Sequence, residues 1–233
     1  MYNKVVLKLS GEALAGNTGK SFDNDTIFSI IEQIKQIIAM GTKTALVIGG
    51  GNFWRGRSAN PDMSRVKADQ IGMLATVMNA IYVSDCFRQK GIEAVVMTPI
   101  KIGTMTTEYS ADLANKLLDE GKVVIFAAGI GRPFFSTDTV TALSSCEIGA
   151  DAILFAKAID GVYDSDPATN PNAKKFDEIP CKDIVEKNLK VIDITAASLC
   201  YENKIPVVIF GLAEDKGIVK AAKGEKIGTV VTV

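Results

Sequence analysis

The stretch from Ala45 to Gly56, ALVIGGGNFWRG, decides the architecture. A short apolar run ends in Gly49, Gly50 and Gly51, followed by Asn52 and Arg55. Its length and branching predict a buried strand. Glycines at a strand's carboxyl end let backbone N–H groups approach a ligand that side chains would block. In an open α/β sheet, ligands bind at that edge, and an arginine just beyond suits a phosphate. The plainer alternative is a tight strand-to-helix turn, for which one glycine suffices.

Outward from this segment, apolar β-branched runs recur over residues 4–9, 43–48, 93–98, 122–127, 151–155, 206–210 and 227–233. Helical patterns separate most of them. Ile27, Ile30, Ile31, Ile34 and Ile38 share a helical face, preceded by Asp23 and Asp25 and ended by Gly41. Residues 68–90 predict a long helix stopped by Gly91, and 108–120 a third stopped by Gly121. Such alternation predicts an α/β fold, a three-layer α/β/α sandwich around a mainly parallel sheet. No repeat or linker divides the chain, so residues 1–233 are expected to form one domain. The loop 160–175, DGVYDSDPATNPNAKK, is long and polar, which marks it as functional or mobile.

With 47% hydrophobic residues in 233, a sizeable core is expected. A formal charge of −1 argues against a general nucleic-acid binder, which needs clustered basic surface. No apolar run approaches the roughly 20 residues of a membrane span, and MYNKVVLKLSG reads as a strand rather than a signal peptide. Cys86, Cys146, Cys181 and Cys200 form no CxxC pair and fit a reducing cytoplasm. The chain has no histidine, which excludes Ser-His-Asp and Cys-His catalysis and histidine-bound metal. Phosphoryl transfer needs little beyond positioning and charge neutralisation, which the remaining residue types supply.

Standard nucleotide motifs fail. Gly11 to Gly16 has P-loop glycine spacing, but Asn17 stands where the lysine belongs. Gly129 and Gly131 lack the third glycine of a dinucleotide fingerprint, replaced by Phe134. What remains is a set of turns after strands. In KLSGEAL, Lys8 interrupts an apolar strand beside Ser10 and Gly11, either to meet an anion or as an outward-facing lysine. AAGIGRPFFSTD offers glycines, Arg132, two aromatics, Ser136, Thr137 and Asp138. Its aromatics can wall a base, and Asp138 meets the ligand or caps the next helix. In DGVYDSDP, Tyr163 could stack on a base and Asp166 meet a ribose or magnesium shell, or both serve a turn. Parallel order would bring all these turns to one sheet edge.

KLSGEAL, VIGGGNFWRG, ADQIGMLATVMNA, AAGIGRPFFSTD and DGVYDSDP together make the chain resemble the bacterial uridylate (UMP) kinases of the amino-acid-kinase fold, across essentially its whole length. The resemblance implies transfer of the γ-phosphoryl group of ATP to UMP, giving UDP for pyrimidine nucleotide synthesis, with Mg²⁺ held mainly by the ATP phosphates. It implies that Lys8, Leu9, Ser10, Gly11, Gly51 and Arg55 face ATP, and that Lys157, Tyr163 and Asp166 lie on its adenosine side. Gly50, Asp69 and the run Ile130, Gly131, Arg132, Pro133, Phe134, Phe135, Ser136 and Thr137 would hold UMP. Lys8, Arg55, Asp138 and Asp193 would be catalytic, the two acids through magnesium or transition-state positioning. It further implies a homohexamer packed along the long helix, where Ile71, Leu74, Val77, Met78 and Ile81 form an apolar stripe that could instead face the chain's own core. It also implies UTP inhibition and GTP activation, although Lys20 and Ser21 replace glycine-rich, apolar residues of the relatives' activation segment. Two alternatives are a kinase of the same fold acting on a carbamate or acylamino acid, and a nucleotide-binding protein without turnover.

Overall fold

The computed structural model describes every residue except 17–19, 56–59, 187–188 and 190, and the side chain of 185. In chain order the elements are β1 (Lys4–Leu9), α1 (Gly11–Ala15), α2 (Asn24–Ala39), β2 (Lys43–Ile48), α3 (Arg65–Gln89), β3 (Ala94–Thr98), β4 (Thr107–Glu108), α4 (Ala111–Asp119), β5 (Val123–Phe126) and α5 (Thr137–Ile148). They continue with β6 (Ala152–Lys157), β7 (Val162–Tyr163), β8 (Lys175–Phe176), β9 (Glu178–Pro180), α6 (Cys181–Glu186), α7 (Ile194–Glu202), β10 (Val207–Gly211), α8 (Gly217–Lys223) and β11 (Thr229–Thr232).

Nine strands form one sheet in the order β4-β3-β5-β2-β1-β6-β10-β11-β9. Every pairing is parallel except β10 with β11. Residue alternation along each strand assigns the two faces. Val5, Leu7 and Leu9 of β1 join a core with the isoleucines of α2, Val77 and Phe87 of α3, and Ile218 of α8. Val6 points the other way, into a core with Ala114 of α4 and Val140 of α5. Beyond it, Ile153 and Phe155 of β6 pack on α6 and α7. The result is the expected α/β/α sandwich.

Two local details differ from the sequence reading. In α2 the buried residues are Ile27, Ile30, Ile31, Ile34 and Ile37, while Ile38 is only half-buried. The two neighbours lie about 100° apart on the helix, so the angle at which α2 crosses the sheet selects between them. In α3 the stripe divides: Val77 is buried at 5% exposure, whereas Ile71, Leu74, Met78 and Ile81 are exposed. No helix among the described residues is long and apolar enough to cross a membrane.

Candidate active site

Four turns follow β5, β2, β1 and β6, which are neighbours at the centre of the sheet. Lys8 lies one residue before the end of β1 and shares the parity of Val6, so its side chain rises on the α5 side. Its register partners are Val47 and Phe155, and its ammonium lies 5.7 Å from the Phe155 ring centroid. It ends 2.8 Å from Asp138 Oδ1, with the two side chains 12% and 14% exposed. The outward-facing alternative for Lys8 is thereby removed.

Asp138 does not cap α5. Ser136 does, accepting N–H bonds from Asp138 and Thr139. This turns Asp138, in the first helical turn, toward the sheet. Lys157, at the end of β6, approaches its other oxygen at 3.5 Å and donates to the Val191 carbonyl. Burial pushes the Asp138 carboxyl up, but Lys8 and Lys157 outweigh it and hold the group below the ordinary carboxylate range. Burial pushes Lys157 down; Asp138 partly restores it, and the neighbouring Lys8 charge lowers it further.

Asp193 caps α7 through the Ala196 N–H. It also accepts bonds from the hydroxyls of Ser136 and Thr139 at the start of α5. Asp193 therefore stands beside Asp138, across the first turn of α5.

On the β1 side, Ser10 caps the short α1. A Cβ on Gly11 would lie 2.5 Å from the Gly51 nitrogen and 2.8 Å from the Gly49 carbonyl, so only glycine lets the two turns touch. Arg55 pairs with Glu12 at 2.8 Å on the surface. A cleft of about 1030 Å³ opens here, lined by Ser10, Glu12, Gln33, Lys157, Leu212 and Lys216 among others. A second cleft of about 600 Å³ continues past Lys157, Asp138, Asp193, Ser136 and Phe135.

Phe135 and Ser136 also border a third pocket, of about 170 Å³. Gly50, Asp69, Arg132, Pro133 and Thr137 line it, together with Trp54, Met73, Thr76 and Gly129. Gly50 must be bare, because a Cβ there would sit 2.9 Å from both Ala75 Cβ and the Gly72 carbonyl. Asp69 accepts from Arg65 Nε and from the Phe134 N–H, both at 2.8 Å. Ile130 borders a separate apolar pocket with Phe126 and Leu143. The Phe134 side chain lies over the guanidinium of Arg65, outside the Asp69 pocket.

Tyr163 and Asp166 are engaged locally. Tyr163 donates to Asp160, Asp166 accepts from the Ala168 N–H, and neither lines the clefts around Lys157 or Asp69. Of the proposed activation segment, residues 17–19 lie outside the described residues, as does Gly56 of the second turn. Sequence reading missed Trp54, Thr76, Thr139 and Glu12. It also missed the turn after β10, although Gly211 at that strand's end carries the same signal as Gly49 to Gly51.

The amino acid kinase family model matches residues 3–211. The chain is similar to a UMP kinase from Bacillus anthracis, at 36% identity, TM-score 0.95, covering 99% of this chain and 96% of that one. It is also similar to a UMP kinase from Ureaplasma parvum, at 36% identity, TM-score 0.93 and complete coverage of both. A uridylate kinase from Archaeoglobus fulgidus shares 28% identity at TM-score 0.77, covering 98% and 99%. By its sheet order, its glycine turns and these matches, the chain belongs to the amino acid kinase family.

Proposed function

We propose that this protein is a UMP kinase that transfers the γ-phosphoryl group of ATP to UMP, in a single domain over residues 1–233. The supporting observation is the run of adjoining clefts. A donor-sized cleft at Ser10 and Lys157 meets the Lys8–Asp138–Lys157 centre, which adjoins the Asp69 pocket through Ser136. The matched UMP kinases span the same whole length.

ATP phosphates would lie along Lys8, Leu9, Ser10, Gly11 and Gly51, with Arg55 exchanging Glu12 for a phosphate. UMP would occupy the pocket of Gly50, Asp69 and the 130–137 turn, displacing the Arg65 contact from Asp69. Adenosine would reach Tyr163 and Asp166 once their local bonds open. The acceptor oxygen is a phosphate oxygen already ionised near pH 7, so no strong general base is required. What the reaction demands is bringing two anions together, and Lys8, Lys157 and the positive end of the α5 dipole face that task.

The donor set fits a magnesium ion carried by the nucleotide. Asp138 and Asp193 are two neighbouring carboxylates, and the described residues contain no three-acid cage. When bound, Mg²⁺ would neutralise charge on the phosphate oxygens. The exposed stripe of Ile71, Leu74, Met78 and Ile81 supports burial of α3 against another copy, as in a homohexamer. Light scattering near six times the 24.9 kDa chain is the expected result. The free cysteines fit a cytoplasmic protein.

ADP release with MgATP, offering UMP, CMP, dTMP, AMP and carbamate in parallel, tests the activity. Turnover with UMP is expected. Turnover with carbamate alone, or ATP binding without turnover on any acceptor, would overturn the proposal.

A further inference from the structure

The segment GMLATVMNA carries a UMP-kinase-like signature, yet the reaction outlined above assigns it no task. Residues 72–80 form the middle of α3, whose inward face carries two buried polar residues, Thr76 and Asn79, among Ala75, Val77 and Ala80. Asn79 is fully buried and exchanges side-chain amide bonds with Asn52 at 2.8 and 2.9 Å. It also donates to the Gly49 carbonyl at 2.6 Å. Thr76, 5% exposed, accepts the Ala128 N–H at 2.8 Å.

The Ala128 bond is the informative one. Ala128 has φ +63°, a left-handed conformation that costs a residue with a Cβ and no compensating side-chain hydrogen bond. It opens the turn that continues through Gly129 at +63°, Gly131 at +79° and Phe134 at +75°. Both non-glycine residues of this turn with positive φ are tied to α3, Ala128 by Thr76 and Phe134 by Asp69. The two anchors are seven residues apart, two helical turns along one face.

We propose that Thr76 is a positioning residue for the acceptor site. Its hydroxyl holds Ala128 left-handed and so fixes where the 129–136 turn places Arg132 and Ser136. A threonine hydroxyl has one proton to give, and Thr76 gives it to the Met73 carbonyl at 2.6 Å. The hydroxyl therefore acts through the turn, with no donor left for a ligand. This rests on the reading of the Asp69 pocket as the UMP site.

Two arms test it. Thr76→Val removes the hydroxyl at constant shape, and Thr76→Ser restores it. Steady-state kinetics should show Thr76→Val raising the KM for UMP tenfold or more while the KM for ATP stays within twofold, with Thr76→Ser within twofold of wild type on both. Hydrogen exchange without substrate should show faster exchange of the Ala128–Gly131 amides in Thr76→Val alone. Should Thr76→Val fail to fold, Thr76→Ala, which lacks both the hydroxyl and the methyl, is compared with Thr76→Ser, which lacks only the methyl. An unchanged KM for UMP with unchanged exchange overturns the proposal. So does an equal loss for ATP and UMP, or a serine variant no better than valine. Wild-type turnover on UMP is measured first, so failure of the acceptor assignment shows there, while the exchange arm reads the anchor without any acceptor.

Discussion

Lys8→Met removes an ammonium while keeping the aliphatic stem between Val47 and Phe155. That ammonium lies 2.8 Å from Asp138, in a pair only 12% and 14% exposed. At an effective dielectric near 20, two unit charges at this distance attract by about 6 kcal/mol, much of it offset by the cost of desolvating both. Lys157 remains 3.5 Å from the carboxylate, so the negative charge is not left alone. We therefore expect a folding loss of about 1–2 kcal/mol, below the roughly 3–5 kcal/mol of a buried charge stripped of its partner. Turnover should suffer more. The transfer loses a cation preorganised on the transferring group, about 3–4 kcal/mol, or a fall in kcat of about 10²–10³. Urea unfolding and ADP release with MgATP and UMP measure the two quantities. Adding Asp138→Asn leaves the buried Lys157 ammonium without that carboxylate, so stability should fall further while turnover stays low. A kcat within threefold of wild type for Lys8→Met, or a double variant that regains turnover, would refute the reasoning.

Asp138 has its folded pKa depressed, so its contribution to stability is complete above the unfolded value of about 3.9 and is lost as pH falls through the lower folded value. Acid titration of unfolding should show that loss beginning at higher pH in Lys8→Met than in wild type. Arg55→Ala breaks an exposed pair with Glu12, so stability should change by no more than about 0.5 kcal/mol while the KM for ATP rises; an unchanged KM would remove Arg55 from the donor site. Trp54 is the only tryptophan of the chain and lines the Asp69 pocket, its indole donating to the Ala68 carbonyl at 2.8 Å. Titration with UMP should shift its fluorescence and titration with ATP alone should not; the reverse pattern would exchange the two sites. Ser136→Ala removes both the α5 cap and a bond to Asp193, and thermal unfolding should show a loss of about 1 kcal/mol.

The central strands were legible because several independent signals agreed. β1 and β2 begin and end where their apolar runs do, and both lead into glycine turns. The short strands β4, β7, β8 and β9 were not legible, because a run of two or three residues becomes a strand only through a partner supplied by the fold. β6 runs to Lys157, past the apolar run, because β10 pairs with it as far as Gly211. Within the site, residue types named Lys8 and Asp138, but their pairing needed the parity of β1 and the Ser136 cap to become visible. The Glu12–Arg55 pair joins turns brought together by Gly11, a contact no local pattern encodes.

The long helix shows why hydropathy alone misleads at such a site. A stripe of apolar residues on a helix ordinarily faces its own core. On α3 the pattern is split, with Ile71, Leu74, Met78 and Ile81 outward and Thr76 and Asn79 buried among Ala75, Val77, Ala80 and Val83. The inward face meets glycine turns, whose exposed backbone N–H and C=O groups need hydrogen-bond partners once buried. Thr76 and Asn79 provide them at Ala128 and Gly49. The apolar residues are then left for a surface that one chain alone does not cover. Both the ligand turns and the proposed contact between copies thus rest on one helix. Cutting the outward stripe with Leu74→Glu should therefore dissociate the assembly and also raise the KM for UMP. An assembly that dissociates with its UMP affinity intact would show that the two faces of α3 act independently.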